Sequence, residues 1–257
     1  MAAASIDTMN LPSEALGMGN PTAEFKPSST RPWLLVALFV VLALGACGIG
    51  AMAIAGGDDG AWIAVLFGAL FGVGAVWQGV TAFRNRDLRV VVLEKGLVRV
   101  GGGKTEILRW DDINSVFQAI TVHYTNGIKT GTTHVYTVFA QSGQKIVFND
   151  TLKNVEALGA TIQREASSRL MPRYTQAYNS GGTATFGKLT LSKAGISNGK
   201  DTIPWDQVQA VNINRGQISV RKQGKWLNWA GQTAAATPNL FIFLNMIDQI
   251  VGINKKK

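Results

Sequence analysis

Residues 32–55, PWLLVALFVVLALGACGIGAMAIA, and residues 61–83, AWIAVLFGALFGVGAVWQGVTAF, are separated only by Gly56-Gly57-Asp58-Asp59-Gly60. Neither run holds a charged side chain, and each is 23 or 24 residues long. About 20 apolar residues, rising ~1.5 Å apiece, cross the hydrocarbon core of a bilayer as a helix. The pair reads as a tight transmembrane hairpin, so the expectation is an integral membrane protein with two spans.

Flanking charge sets the expected orientation. Lys26 and Arg31 precede the first span, Arg84, Arg86 and Arg89 follow the second, and the connector carries only Asp58 and Asp59. Positive flanks are retained in the cytoplasm. Both termini are therefore expected there, at the inner (plasma) membrane. Leu44-Gly45-Ala46-Cys47 has the form of a lipobox, but the apolar run continues to Ala55 and the leader carries Asp7, Glu14 and Glu24, so a retained span is the better reading. Cys47 is the only cysteine, which excludes an intramolecular disulfide and a cysteine-rich metal site.

Within the spans Gln78 and Thr81 are the only conventional polar groups besides Cys47, which argues against an ion or proton path through these helices alone. Small residues recur at every fourth position: Ala43, Cys47, Ala51 and Ala55 in the first span, Ala64, Gly68 and Gly72 in the second. Such ridges let helices approach closely. They serve the hairpin itself or, through a leftover face, a homo-oligomer.

Charge divides the chain. Residues 1–83 carry net −3 and residues 84–257 net +12. A basic domain beside an anionic leaflet is drawn to its headgroups. Nucleic acid is not expected as the partner, because the basic residues are scattered along strands and loops rather than gathered on one helix or arm. Residues 1–31, with Pro12, Pro21, Pro27 and Ser28-Ser29-Thr30, read as a disordered cytoplasmic tail, and residues 253–257 as a basic tail.

The remainder repeats itself. Val90-Val91-Val92-Leu93-Glu94-Lys95-Gly96-Leu97 returns as Leu189-Thr190-Leu191-Ser192-Lys193-Ala194-Gly195-Ile196. Leu108-Arg109-Trp110-Asp111-Asp112-Ile113-Asn114-Ser115-Val116 returns as Ile203-Pro204-Trp205-Asp206-Gln207-Val208-Gln209-Ala210-Val211. The offset is 99 at the glycines and 95 at the tryptophans, as expected if the second copy lacks the Gly101-Gly102-Gly103 turn. In the first copy, 86–173, strands are expected at 120–124, 135–140 and 145–148, with turns at Asn126-Gly127 and Ser142-Gly143. A helix follows through Leu152, Val155, Leu158, Ile162, Ala166 and Leu170, capped by Asp150 or Thr151. After a linker at 174–183, the second copy, 184–252, places strands at 218–221 and 225–229 around Gln223-Gly224. Its helix is expected to start at Thr237-Pro238 and to carry Leu240, Phe243, Leu244, Ile247, Ile250 and Val251.

The aliphatic-x-Trp-Asp-x-aliphatic-x-x-Val step, set in a strand meander closed by a helix, resembles bacterial pleckstrin-homology-like domains. The whole looks like an uncharacterised bacterial membrane-anchored family with two of them in tandem. The resemblance implies an α+β chain whose transmembrane hairpin is followed by two antiparallel bent sheets or partial barrels, each capped by a C-terminal helix. Such folds dock lipids, peptides or proteins. Trp110 and Trp205 read as core anchors, with Asp111 and Asp206 capping the turn that follows.

Catalysis finds no footing. Gly103-Lys104-Thr105 ends like a phosphate-binding loop, but position 98 is Val98 rather than glycine and extended residues follow. His123 and His134 have no acidic or cysteine partner at useful spacing, so neither metal nor cofactor is expected. Asn149-Asp150-Thr151 matches a glycosylation acceptor by composition only. The chain is expected not to be an enzyme. It reads as a membrane-anchored scaffold docking a protein partner by strand addition or in a groove beside a closing helix. The alternatives are an anionic-lipid module using Arg221, Lys222, Lys225, Trp226 and Trp229, helped by Lys255-Lys256-Lys257, or an accessory subunit of a membrane complex.

Overall fold

A computed structural model describes residues 12–27 and 30–253, so the first eleven residues and Lys255-Lys256-Lys257 lie outside the described residues. The chain is mixed α+β. It opens with α1 (Ser13–Leu16), β1 (Pro21–Phe25) and the two apolar helices α2 (Thr30–Ala55) and α3 (Trp62–Arg84). The first copy continues as β2 (Arg89–Leu93), β3 (Gly96–Gly101) and β4 (Lys104–Arg109). After a one-turn helix at Trp110–Asp112 come β5 (Ile113–Thr125), β6 (Ile128–Ala140), β7 (Lys145–Asn149) and α4 (Val155–Asn179). The second copy repeats the order as β8 (Ala184–Phe186), β9 (Leu189–Ser192), β10 (Gly195–Ser197) and β11 (Thr202–Ile203). A turn at Trp205–Gln207 leads to β12 (Val208–Asn214), β13 (Gln217–Lys222), β14 (Asn228–Thr233) and α5 (Leu240–Ile250).

Each copy has a four-stranded antiparallel sheet, β1-β2-β3-β4 or β11-β10-β9-β8, and a three-stranded one, β5-β6-β7 or β12-β13-β14. β1 therefore occupies in the first copy the place of β8 in the second. β8 and β9 are joined by Gly187 and Lys188 alone, whereas between β1 and β2 the chain runs through both apolar helices. The helical hairpin is an insertion in the first strand pair of the body. Phe25 pairs with Val90, so the two flanks of the hairpin leave from the same end of the β1–β2 strand pair.

Over residues 12–27 that pairing corrects the disordered tail expected at 1–31, the first eleven residues lying outside the described ones. Residues 21–25 form a strand, and Ala15 and Met18 cover the outer face of β2 over Val91 and Leu93. All of Val90-Val91-Val92-Leu93 is consequently buried, whereas β9 alternates buried and half-buried. The inner faces of both copies merge in one core. Tyr174 stacks on Phe186 at 4.9 Å, and Phe186 meets Phe243 edge-on at 5.4 Å. The linker expected at 174–183 is thus largely helix: α4 runs on through Pro172 to Asn179, and Tyr174 and Tyr178 pack on the shared core.

Two local expectations also change. The second copy is shorter between its Gly195 and Trp205 because its strands are short, not because a turn is missing. β3 and β4 turn on Gly102 and Gly103, at φ 60° and 73°, while β10 and β11 are joined by residues 198–201. α4 and α5 both begin after a left-handed asparagine, Asn154 and Asn239, rather than at Asp150, Thr151 or Pro238. Asp150 instead faces His134, and Thr237 is buried against Gln232.

The hairpin packs through its small residues. A side chain at Gly68 would collide with Cys47 and the Ala43 carbonyl, and Phe39 and Phe71 touch at 6.1 Å. Gly68, Ala75 and Ala82, seven residues apart, form the buried stripe of α3. Gly72 meets no neighbouring atom. The outward faces are apolar and uncovered from Trp33 to Phe83, so both helices are long and apolar enough to cross a membrane.

Candidate functional site: the outer edge of β5

The first copy departs most from the second at its central hairpin. Asn126 and Gly127, at φ 50° and 80°, form the turn that suits a two-residue hairpin. β5 and β6 are 13 residues each, but β7 pairs only with Val135–Phe139. The ribbon between Ile120 and His134 therefore projects past its sheet. Isolated two-stranded ribbons are marginal in water. This one nevertheless exposes Ile120, Val122, Tyr124 and Ile128, the last 71% accessible.

Register explains which backbone groups face outward. Val116 receives Asn239 on both of its polar groups. Its N–H donates to the Asn239 Oδ1 at 2.9 Å, and its carbonyl accepts the Asn239 N–H at 2.8 Å. Val116 therefore points its backbone away from β6. Pairing is regular from Ser115 to His123, so by alternation Gln118, Ile120 and Val122 also turn their N–H and C=O groups outward. Beside this edge runs a cleft of about 990 Å³, lined by Ile120, Val122 and Tyr124 on one side and by Arg215, Ala234 and Leu240 of the second copy on the other. Arg215 sits at φ 47° in the β12–β13 turn, the place Asn126 holds in the first copy. A left-handed arginine costs more than an asparagine there. Among the described residues no carboxylate pairs with it.

The residues expected to read lipid are only partly brought together. Trp226 is 84% exposed and Leu227 61%, at a loop with Lys225. Lys222 ends β13 half-buried; Arg221 lies within it, its Nε buried without a partner. β14 starts at Asn228 rather than 225, and Trp229 packs against the core. The repeat anchors differ as well. Trp110 is fully buried, while Trp205 is half-buried and donates its Nε1–H to the Ser192 carbonyl at 2.8 Å. Neither aspartate caps its turn; Asp111 binds Arg169 of α4 at 2.7 Å.

The sequence offers His134 no acidic partner at useful spacing, and the fold supplies two. Asp150 takes its Nδ1 side at 3.1 Å and its backbone N–H at 2.7 Å, and Glu156 lies 3.0 Å from Nε2. His134 thereby ties β6 to the start of α4. These carboxylates lie 16 and 22 positions along the chain, and only the β6–β7 register brings them near. Next to them Tyr136 is pushed above the ordinary phenol range by burial first, then by Glu156 and Asp150. His123 contacts Thr133 at 2.7 Å and has no metal-binding neighbours among the described residues.

At the root of the helical hairpin, Lys26, Arg86 and Arg89 line a second cleft of about 510 Å³ with Asp87, Leu88 and Val100. Arg86 also lies 4.0 Å over the Phe83 ring.

Over residues 8–256 the chain matches the model of a family of unknown function, DUF6585, and belongs to that family. No curated protein and no solved structure matches it.

Proposed function

We propose that this chain is a non-enzymatic integral membrane protein whose two helices hold a tandem pleckstrin-homology-like module at the cytoplasmic surface, where it docks a protein partner. The observation that carries the reading is the exposed apolar ribbon at 120–128, on a body with an apolar helical hairpin inserted in its own sheet. Four large apolar side chains on a projecting ribbon make an exposed patch of the kind that marks an interaction surface. Lys26, Arg84, Arg86 and Arg89 on one side of the helices favour the cytoplasm for the body.

A photo-crosslinking residue at Ile128 in living cells should give a discrete adduct, and one at Gln144, on the β6–β7 turn, should give none. Absence of an adduct at Ile128 would contradict docking there. A lipid reading is favoured separately by the exposed Trp226-Leu227 tip and by the basic cleft at the helix root. It requires the full chain in nanodiscs, because a fragment starting at residue 84 loses β1. Retention of anionic over neutral lipid, lost on neutralising Lys222 and Lys225, would favour it.

A further inference from the structure

We infer that the docked partner is an extended segment that adds as a strand to the outer edge of β5, with apolar side chains at alternate positions and a carboxylate that meets Arg215. This rests on the docking reading above and names its ligand class. Three observations carry it. Asn239 already satisfies Val116 as a neighbouring strand would, and beyond it, across the cleft from Ala234 and Ala235, the outward backbone groups of Gln118, Ile120 and Val122 continue the same ladder with no hydrogen-bond partner among the described residues. An unpaired edge of this kind templates strand addition.

Second, the side chains along that edge give the cleft an apolar wall, and side chains on one face of an added strand recur every second residue. Third, Arg215 lines the same cleft from a left-handed turn position where Asn or Gly would be less strained. A guanidinium kept there at a conformational cost, on a soluble part of net charge +12, is complementary to an acidic group.

The test uses the full chain in neutral-lipid nanodiscs, or in buffer if it proves soluble without lipid, so that failure of the membrane reading is seen at the reconstitution step and not confused with failure to bind. The probe is a fluorescent peptide of alternating Val and Thr carrying one Asp, beside an N-methylated analogue and an Asp→Asn analogue. The parent peptide should bind, and N-methylation of alternate amides should abolish binding. Val122→Pro should do the same, because its N–H faces outward and its loss leaves the β5–β6 ladder intact. The Asp peptide should bind about tenfold tighter than its Asn analogue, as a charge-assisted bond implies. Arg215→Asn, which keeps the turn, should erase that preference. Equal binding of the N-methylated peptide, no binding of the parent, or a Val122-dependent dimer in place of peptide binding would overturn the inference.

Discussion

The two copies share an element order but differ in what covers them. In the first, β2 is apolar at every position from Val90 to Leu93 and is buried on both faces, because the N-terminal segment folds back over Val91 and Leu93. In the second, Leu189-Thr190-Leu191-Ser192 alternates and only one face is buried. The first copy also carries the long ribbon and the apolar helical hairpin. The second supplies Asn239, Arg215 and the shared core. One copy is elaborated and the other closes it, so neither is a free-standing bead on a linker.

The sharpest way to break this asymmetry is at the paired tryptophans. Trp110→Ala should cost about 3–5 kcal/mol, as expected for a large buried ring. Trp205→Ala, with a half-buried ring and one hydrogen bond, should cost less. Denaturant unfolding of the full chain in detergent would show it, and equal losses would mean the copies carry equivalent cores.

Next comes the covering segment. Met18→Ala should destabilise the body by about 2–3 kcal/mol, a loss that a disordered tail would not produce. Thermal unfolding measures it.

The two left-handed asparagines separate the helix starts. Asn154 makes no capping bond of its own, so its replacement by Ala should cost only the conformational penalty of about 1 kcal/mol. Asn239→Ala also removes side-chain bonds to Val116, Asn114 and Tyr174, and should cost about 1–2 kcal/mol more. If the order were reversed, the clasp between the copies would be dispensable.

The smallest effect is confined to alkaline pH. Where Gln118 faces Tyr136 in the first copy, Ile213 faces Ile218 in the second. Burial, with Glu156 and Asp150 nearby, raises the Tyr136 phenol above its ordinary value of 10.0. Its neutral form therefore stabilises the fold fully below that value, and the contribution is lost as pH rises through the higher folded one. Tyr136→Phe should abolish this loss and remove a raised phenolate step from an absorbance titration. A Tyr136 that ionises at the ordinary phenol value would contradict the burial.

Composition and periodicity were enough for the helical hairpin, whose connector and ends fall within two residues of the reading, and for the duplication, since both depend on local pattern. They were not enough for β1. Pro21-Thr22-Ala23-Glu24-Phe25 has too little apolar content to declare a strand without its partner 65 or more positions away. A signal was nevertheless present in Val90-Val91-Val92-Leu93, because four consecutive apolar residues require cover on both faces. The site was legible only in part. The Asn126-Gly127 turn marked the hairpin, but the sequence of β5 does not say which edge stays open. That depends on where β7 stops and where Asn239 lands, and both are set by tertiary contacts. The Trp226 loop was legible as basic and aromatic, while the inward turn of Trp229 came from the β14 boundary.

Side-specific labelling tests most directly that the hairpin crosses the bilayer from within one folded body. In a Cys47→Ser background, a membrane-impermeant maleimide would be added to intact cells carrying single cysteines at Ser13, Gly56 or Ser142. Gly56→Cys should be labelled from outside, and Ser13→Cys and Ser142→Cys only after lysis. Labelling of Gly56→Cys and Ser13→Cys from the same side would contradict it.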